Sequence, residues 1–151
     1  KKNYPKLLKF VDLCEKHNLK IIATLFDFYS NFSTQDWYHC DQYMQQVMVP
    51  LAKNPTIMAW DLKNEPDIDY NYHPKEYITA WLQFVIKQSH IYSPKQFITI
   101  GWSNLDEAVL YENQLDFLAP HFYLTPVEFS KKYESFKKQV SKNIRLYPRR
   151  L

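Results

Sequence analysis

Apolar residues recur along this chain with two periods, helical and extended, that alternate from one end to the other. Leu7, Leu8, Val11 and Cys14 share one face of a helix that Pro5 opens, and Asn18 suits the left-handed stop position usually given to glycine. An extended apolar run over 20–26 follows. The exchange then repeats. Met44, Val47, Met48 and Leu51 mark a helix over about 41–52, with Pro50 as a kink or restart, and a strand over 56–63 comes next. Tyr77, Ile78, Trp81, Leu82 and Val85 face inward from a helix opening near Pro74, ahead of a strand over 96–101. A helical turn at 105–110 leads to a strand over 116–121. Thr125-Pro126-Val127-Glu128 then supplies the cap, first-turn proline and capping-box glutamate of a last helix reaching about 140.

Strands that alternate with helices belong to a parallel α/β sheet. The run Ile57-Met58-Ala59-Trp60-Asp61-Leu62 is almost continuously apolar, as expected for a strand covered on both faces. The expected fold class is therefore α/β, a partial TIM (β/α)8 barrel. Four strands in 151 residues make about half of a barrel that typically needs roughly 250 residues. Residues 1–151 read as one segment, with no linker and no second domain. A half-barrel leaves two edges, 20–26 and 116–121, so poor solubility, self-association through these edges, or dependence on further segments is expected. The chain holds a single glycine, so Asn and Asp are expected at turn positions that need positive φ.

Composition excludes several classes of function. The net charge of +3 is spread over 19 basic and 16 acidic residues. Its clusters at Lys1-Lys2, Lys131-Lys132, Lys137-Lys138 and Arg149-Arg150 read as solvated helix faces and ends, which disfavours nucleic acid as a partner. No apolar stretch approaches the length of a membrane span. Cys14 and Cys40 lack metal-ligand spacing and read as buried free thiols. His39 with Asp36 and Asp41 reads as a polar loop rather than a metal site, and no cofactor is called for. The opening Lys1-Lys2-Asn3 has no initiator Met and reads as a processed or excised segment; a secreted or periplasmic parent is expected. Aromatic residues make up 17% of the chain, and aromatic rings commonly contact the apolar faces of sugars, although most simply fill cores.

In parallel α/β barrels the chemistry sits where strands end and the following loops begin. Four such places occur: Asp27-Phe28-Tyr29, Asn64-Glu65-Pro66-Asp67, Trp102-Ser103-Asn104 and His121-Phe122-Tyr123. An Asn-Glu-Pro tripeptide alone is often a helix cap or a turn; its place after a buried strand gives it weight. Trp102 is a candidate sugar-stacking platform or, equally, a core or rim residue. Asp61 has the strand parity of Glu65 and is expected to point into the barrel, with its partner on a strand outside the chain.

The segment from Asn54 through Trp60 to Asn64-Glu65-Pro66 resembles the fourth strand of clan A glycoside hydrolases, most strongly those of family 5, the cellulase and β-mannanase family. His121 and Tyr123 are similar to the pair that ends the sixth strand there, so the chain would cover about strands three to six. The resemblance implies that Glu65 is the general acid/base and that Asn64 bonds the sugar 2-hydroxyl. It implies further that His121 lines the donor subsite and that Tyr123 donates to the nucleophile carboxylate. Asp27 and Tyr29 depart from the family pattern, which often has His or Asn there.

Retaining glycosidases use two carboxyl groups roughly 5–5.5 Å apart. The resemblance places the nucleophile at the end of the seventh strand. Beyond His121 the carboxylates are Glu128 and Glu134, both in the last expected helix, and the tail 143–151 has none. The expectation is therefore a fragment of a retaining, endo-type β-glycoside hydrolase acting on a β-linked oligosaccharide or polysaccharide of mannan or glucan type, active only in a longer parent. Two alternatives stand beside it: a non-catalytic carbohydrate-binding or degenerate barrel, and a small α/β interaction protein.

Overall fold

The computed structural model describes residues 4–140, 145–146 and 149–150. Its elements in chain order are α1 (Tyr4–Lys16), β1 (Ile21–Thr24), α2 (Trp37–Met48), β2 (Ile57–Asn64), α3 (Lys75–Tyr92), β3 (Phe97–Trp102), α4 (Leu105–Leu110), β4 (Phe117–Phe122), α5 (Pro126–Gln139), β5 (Arg145–Leu146) and β6 (Arg149–Arg150). The four main strands lie side by side in the order β1-β2-β3-β4, all parallel. This is an α/β fold, part of a (β/α) barrel.

The core lies between the sheet and its helices. Trp60 of β2, Ile98 and Ile100 of β3, Met44 and Met48 of α2, and Trp81 and Leu82 of α3 are fully buried in one continuous cluster. The residues of opposite parity, Ala59, Phe117 and Ala119 with Ile22, form a separate small cluster of short or sheet-hugging side chains. Gln96 ties the base of the layers together. Its carboxamide oxygen accepts from the Trp60 indole at 2.7 Å, and its nitrogen donates to the carbonyls of Leu51, Asn54 and Ile57 at 3.0–3.1 Å.

Where the chain departs from expectation, the causes are local. α2 begins at Trp37, because Ser33 caps a 3-10 turn, Thr34–Asp36, that feeds directly into it. Pro50 lies in a second 3-10 turn, Val49–Leu51, beyond the end of α2. The Thr125–Glu128 capping box opens α5. Cys14 and Cys40 are free and buried. Asn18 takes positive φ, at 55°.

The edge expected along 116–121 is not open. β5 pairs with Phe117 and Leu118, and β6 pairs with His121 and Phe122, both parallel, so short segments of the tail cover both ends of β4. β1 remains terminal in the sheet order. Lys1-Lys2 and the rest of the tail, like the side chains of Arg149 and Arg150, lie outside the described residues. Among the described residues no helix is long and apolar enough to cross a membrane.

Candidate functional site

The C-terminal ends of β2, β3 and β4 converge on one carboxylate. After Asp61 the pairing of β2 with β3 shifts register, so that Asp61 faces Thr99 while Asn64 faces Gly101. Glu65 then leaves the strand with φ at 48°, a left-handed conformation that costs a non-glycine residue roughly 1–2 kcal/mol. Its N–H donates to the Gly101 carbonyl at 2.8 Å, which fixes the turn.

The Glu65 side chain is buried, and its Oε1 is held twice. His121 Nδ1 lies 2.6 Å away, and the Tyr123 hydroxyl donates to the same oxygen. Oε2 has no hydrogen-bond partner among the described residues. Although the Tyr123 ring is exposed, its hydroxyl turns inward. Loss of solvent around that hydroxyl, and secondarily its bond to Glu65, push its pKa up to about 12. His121 is buried, and its Nε2 has no partner among the described residues. Asn64, half-buried at the end of β2, makes no side-chain hydrogen bond within the described residues.

Three further groups hold this arrangement. Asp61, 1% exposed, accepts from the Gly101 N–H at 3.0 Å and the Thr24 hydroxyl at 2.9 Å. These two partners lie on β1 and β3 within the chain, where the sequence suggested a basic group on a missing strand, and the register shift opens the Gly101 amide to Asp61. Asp67 spans the loops after β2 and β3, accepting from the Ser103 N–H at 3.2 Å, the Asn104 N–H at 2.9 Å and the Ser103 hydroxyl. The buried Lys63 ammonium donates to the carbonyls of Asp27 and Asn64, each at 3.1 Å, and lies 3.0 Å from Asp69 Oδ2 in an ion pair without hydrogen-bond alignment. Sequence reasoning missed Gly101 and Lys63; the signals were the chain's sole glycine at a strand end and a lysine in an otherwise buried strand.

Other candidates fall elsewhere. Trp102 has no exposed surface and packs on Tyr111 with ring centroids 4.9 Å apart, so it offers no face to a sugar. Tyr29 turns into the core, stacked on Trp81, and donates to Asp36 at 2.7 Å. Burial, followed by its bonds to Cys40 and Asp36, raises its pKa. His39 pairs with the same Asp36 at 2.9 Å. Tyr123, which the resemblance assigned to a nucleophile, is committed to Glu65 in this chain. Glu128 caps α5 and Glu134 pairs with Lys137 on that helix. A shallow cavity of about 180 Å³ adjoins the site, lined by Ser103, Leu105, His121, Tyr123 and Lys132 among others.

No family model matches the sequence, and no curated protein does. Solved structures do. A GH2 beta-galacturonidase from Eisenbergiella tayi bound to galacturonate aligns over 92% of this chain with a TM-score of 0.68 and 14% identity. A beta-D-glucuronidase from Dictyoglomus thermophilum aligns over 93%, with a TM-score of 0.68 and 13% identity. A beta-glucuronidase from Faecalibacterium prausnitzii aligns over 91%, with a TM-score of 0.63 and 13% identity. The chain spans 26–27% of the length of these three proteins. At such identity the likeness establishes the fold. It also corrects the family expectation: the similar structures are a GH2 beta-galacturonidase and two beta-glucuronidases, not cellulases or mannanases, and the family 5 resemblance rests on short motifs that no family model supports.

Proposed function

We propose that residues 1–151 are one segment of an incomplete glycoside hydrolase barrel, and that the longer protein hydrolyses a β-linked glycoside by retaining chemistry with Glu65 as general acid/base. The observation that carries this reading is the grip of His121 and Tyr123 on Oε1 at the C-terminal ends of β2 and β4. That grip orients the carboxyl and leaves Oε2 free to exchange a proton. In the first step Oε2 gives its proton to the glycosidic oxygen while a nucleophile carboxylate outside these residues attacks the anomeric carbon. In the second step the same oxygen takes a proton from the water that releases the sugar. In this reading the unengaged Asn64 amide bonds a sugar hydroxyl beside the reacting carbon, and the exposed Tyr123 ring borders it.

The similar structures are a galacturonidase and two glucuronidases, and lend nothing to an endo-acting mannan or glucan hydrolase. The proposed substrate class therefore stops at a β-glycoside.

The acid role is tested in the longer protein with two β-glycosides of one sugar, one with an alcohol leaving group and one with dinitrophenolate. Dinitrophenolate departs without a proton. Glu65→Gln should lower the rate of the bond-breaking step about 10²–10⁴-fold for the alcohol and far less for dinitrophenolate. Equal losses on both would overturn the role, and binding of the sugar without hydrolysis of either would favour a non-catalytic carbohydrate-binding barrel.

A further inference from the structure

Gly101 is the one glycine in 151 residues, yet it occupies no turn. It lies inside β3, opposite Asn64 on one side and Ala119 on the other. Three separate features meet there. Its carbonyl accepts the Glu65 N–H at 2.8 Å, and its own N–H donates to Asp61 Oδ1 at 3.0 Å. A Cβ on it would lie 2.7 Å from His121 Nε2 and 2.9 Å from Cε1. The imidazole thus rests in the notch left by the missing side chain. Its Nε2 is buried without a partner among the described residues, so no hydrogen bond on that side aims the ring. What aims it is the contact with Gly101 behind and the Glu65 carboxylate in front, 2.6 Å from Nδ1.

We infer that Gly101 is a positioning residue for Glu65, holding its backbone through the carbonyl and its carboxylate through the space it gives His121. The inference rests on the reading of Glu65 as the acid, and it adds the residue that sets that acid's geometry. A methyl group at position 101 cannot be accommodated by a flexible chain end, because the atoms it meets belong to a rigid, buried ring. The ring must tilt, and the tilt is taken up at the Nδ1 to Oε1 bond. Asp61, which grips the Gly101 amide from below, keeps β3 from sliding away to make room.

The first test uses the unsubstituted chain. Proton NMR should show a cross-relaxation contact between His121 Hε1 and the Gly101 α-protons; its absence overturns the inference. The second uses ¹⁵N-labelled histidine. The ring nitrogen resonances of His121 should move on Glu65→Gln in the parent sequence and lose that response in Gly101→Ala. The third is a rescue. The fall in urea midpoint caused by Gly101→Ala should largely vanish in a His121→Ser background, where the ring is gone. An equal fall in both backgrounds would show that the glycine serves the strand and not the histidine. If Gly101→Ala does not fold at all, recovery of folding in Gly101→Ala/His121→Ser supports the notch, and failure of both leaves the contact in the unsubstituted chain to decide. None of these readouts requires turnover, so failure of the acid role in the longer protein leaves them unchanged.

Discussion

Replacing Asp61 separates the internal brace of the site from its chemistry. The carboxylate is 1% exposed and joins three strands, from its own β2 to Gly101 on β3 and Thr24 on β1. Asp61→Ala leaves the Gly101 N–H buried and unpaired, at ~1–3 kcal/mol for such a donor. The Thr24 hydroxyl is only partly buried and regains some solvation, so its loss is smaller. The sum is about 3 kcal/mol, which for a chain of this size lowers the thermal midpoint by roughly 6–12 °C. Asp61→Asn keeps an oxygen for Gly101 and presents its amide to Thr24, whose hydroxyl can turn from donor to acceptor; the expected cost is below about 1 kcal/mol. Thr24→Val removes the same bond from the other side, and the double variant Asp61→Ala/Thr24→Val should cost less than the two singles together. Circular dichroism melts and urea titrations of the four variants measure this directly. An Asn variant as unstable as the Ala variant, or an Ala variant within ~1 kcal/mol of the parent, would refute the brace.

Further outcomes follow from the same geometry. The 151-residue chain alone should release no reducing sugar from β-glycosides, since the carboxylates that follow His121, Glu128 and Glu134, both lie on α5, one in its cap and one paired with Lys137; a linear rate abolished by Glu65→Gln would contradict this. Lys63→Met strips a buried cation from two carbonyls and Asp69 and should cost on the order of 3 kcal/mol in chemical denaturation; a cost under ~1 kcal/mol would show the ammonium to be adequately replaced by the thioether. Tyr123 is raised to about 12, and Tyr29, Tyr43, Tyr70, Tyr92 and Tyr111 are raised as well. Folded values above the unfolded value of about 10 mean stability that is intact below pH ~10 and declines as pH climbs from there toward the folded pKa values. Ultraviolet titration of phenolate should therefore lag in the native chain behind the chain in denaturant; coincident curves would refute the tyrosine environments.

β2, β3 and β4 were legible because burial on both faces writes itself as a continuous apolar run, and β2 shows this from Ile57 to Leu62. The start of α2 was not, because Trp37 follows a 3-10 turn set by a single Ser33 side chain rather than by helical periodicity. Strand-end position was enough to single out Glu65, His121 and Tyr123, and the structure brings the three within hydrogen-bond reach. Their mutual partners were harder. Asp61 and Tyr123 were each assigned a partner on an absent strand, whereas inside the chain a backbone amide and a threonine hydroxyl donate to Asp61 and a neighbouring carboxylate accepts from Tyr123. A backbone N–H freed by a register shift leaves no mark in the order of residues. The family 5 resemblance failed because it rested on a few strand-end residues, whereas the similar structures align over more than nine-tenths of the chain.

The left-handed backbone at Glu65 sets folding and chemistry against each other at one position. A glycine there would adopt the same φ without the side-chain clash, so Glu65→Gly should fold at least as firmly as Glu65→Ala, by about 1 kcal/mol. Glycine at position 65 would also leave His121 Nδ1 and the Tyr123 hydroxyl without the Oε1 they share, so backbone strain and two buried hydrogen bonds are balanced on a single residue.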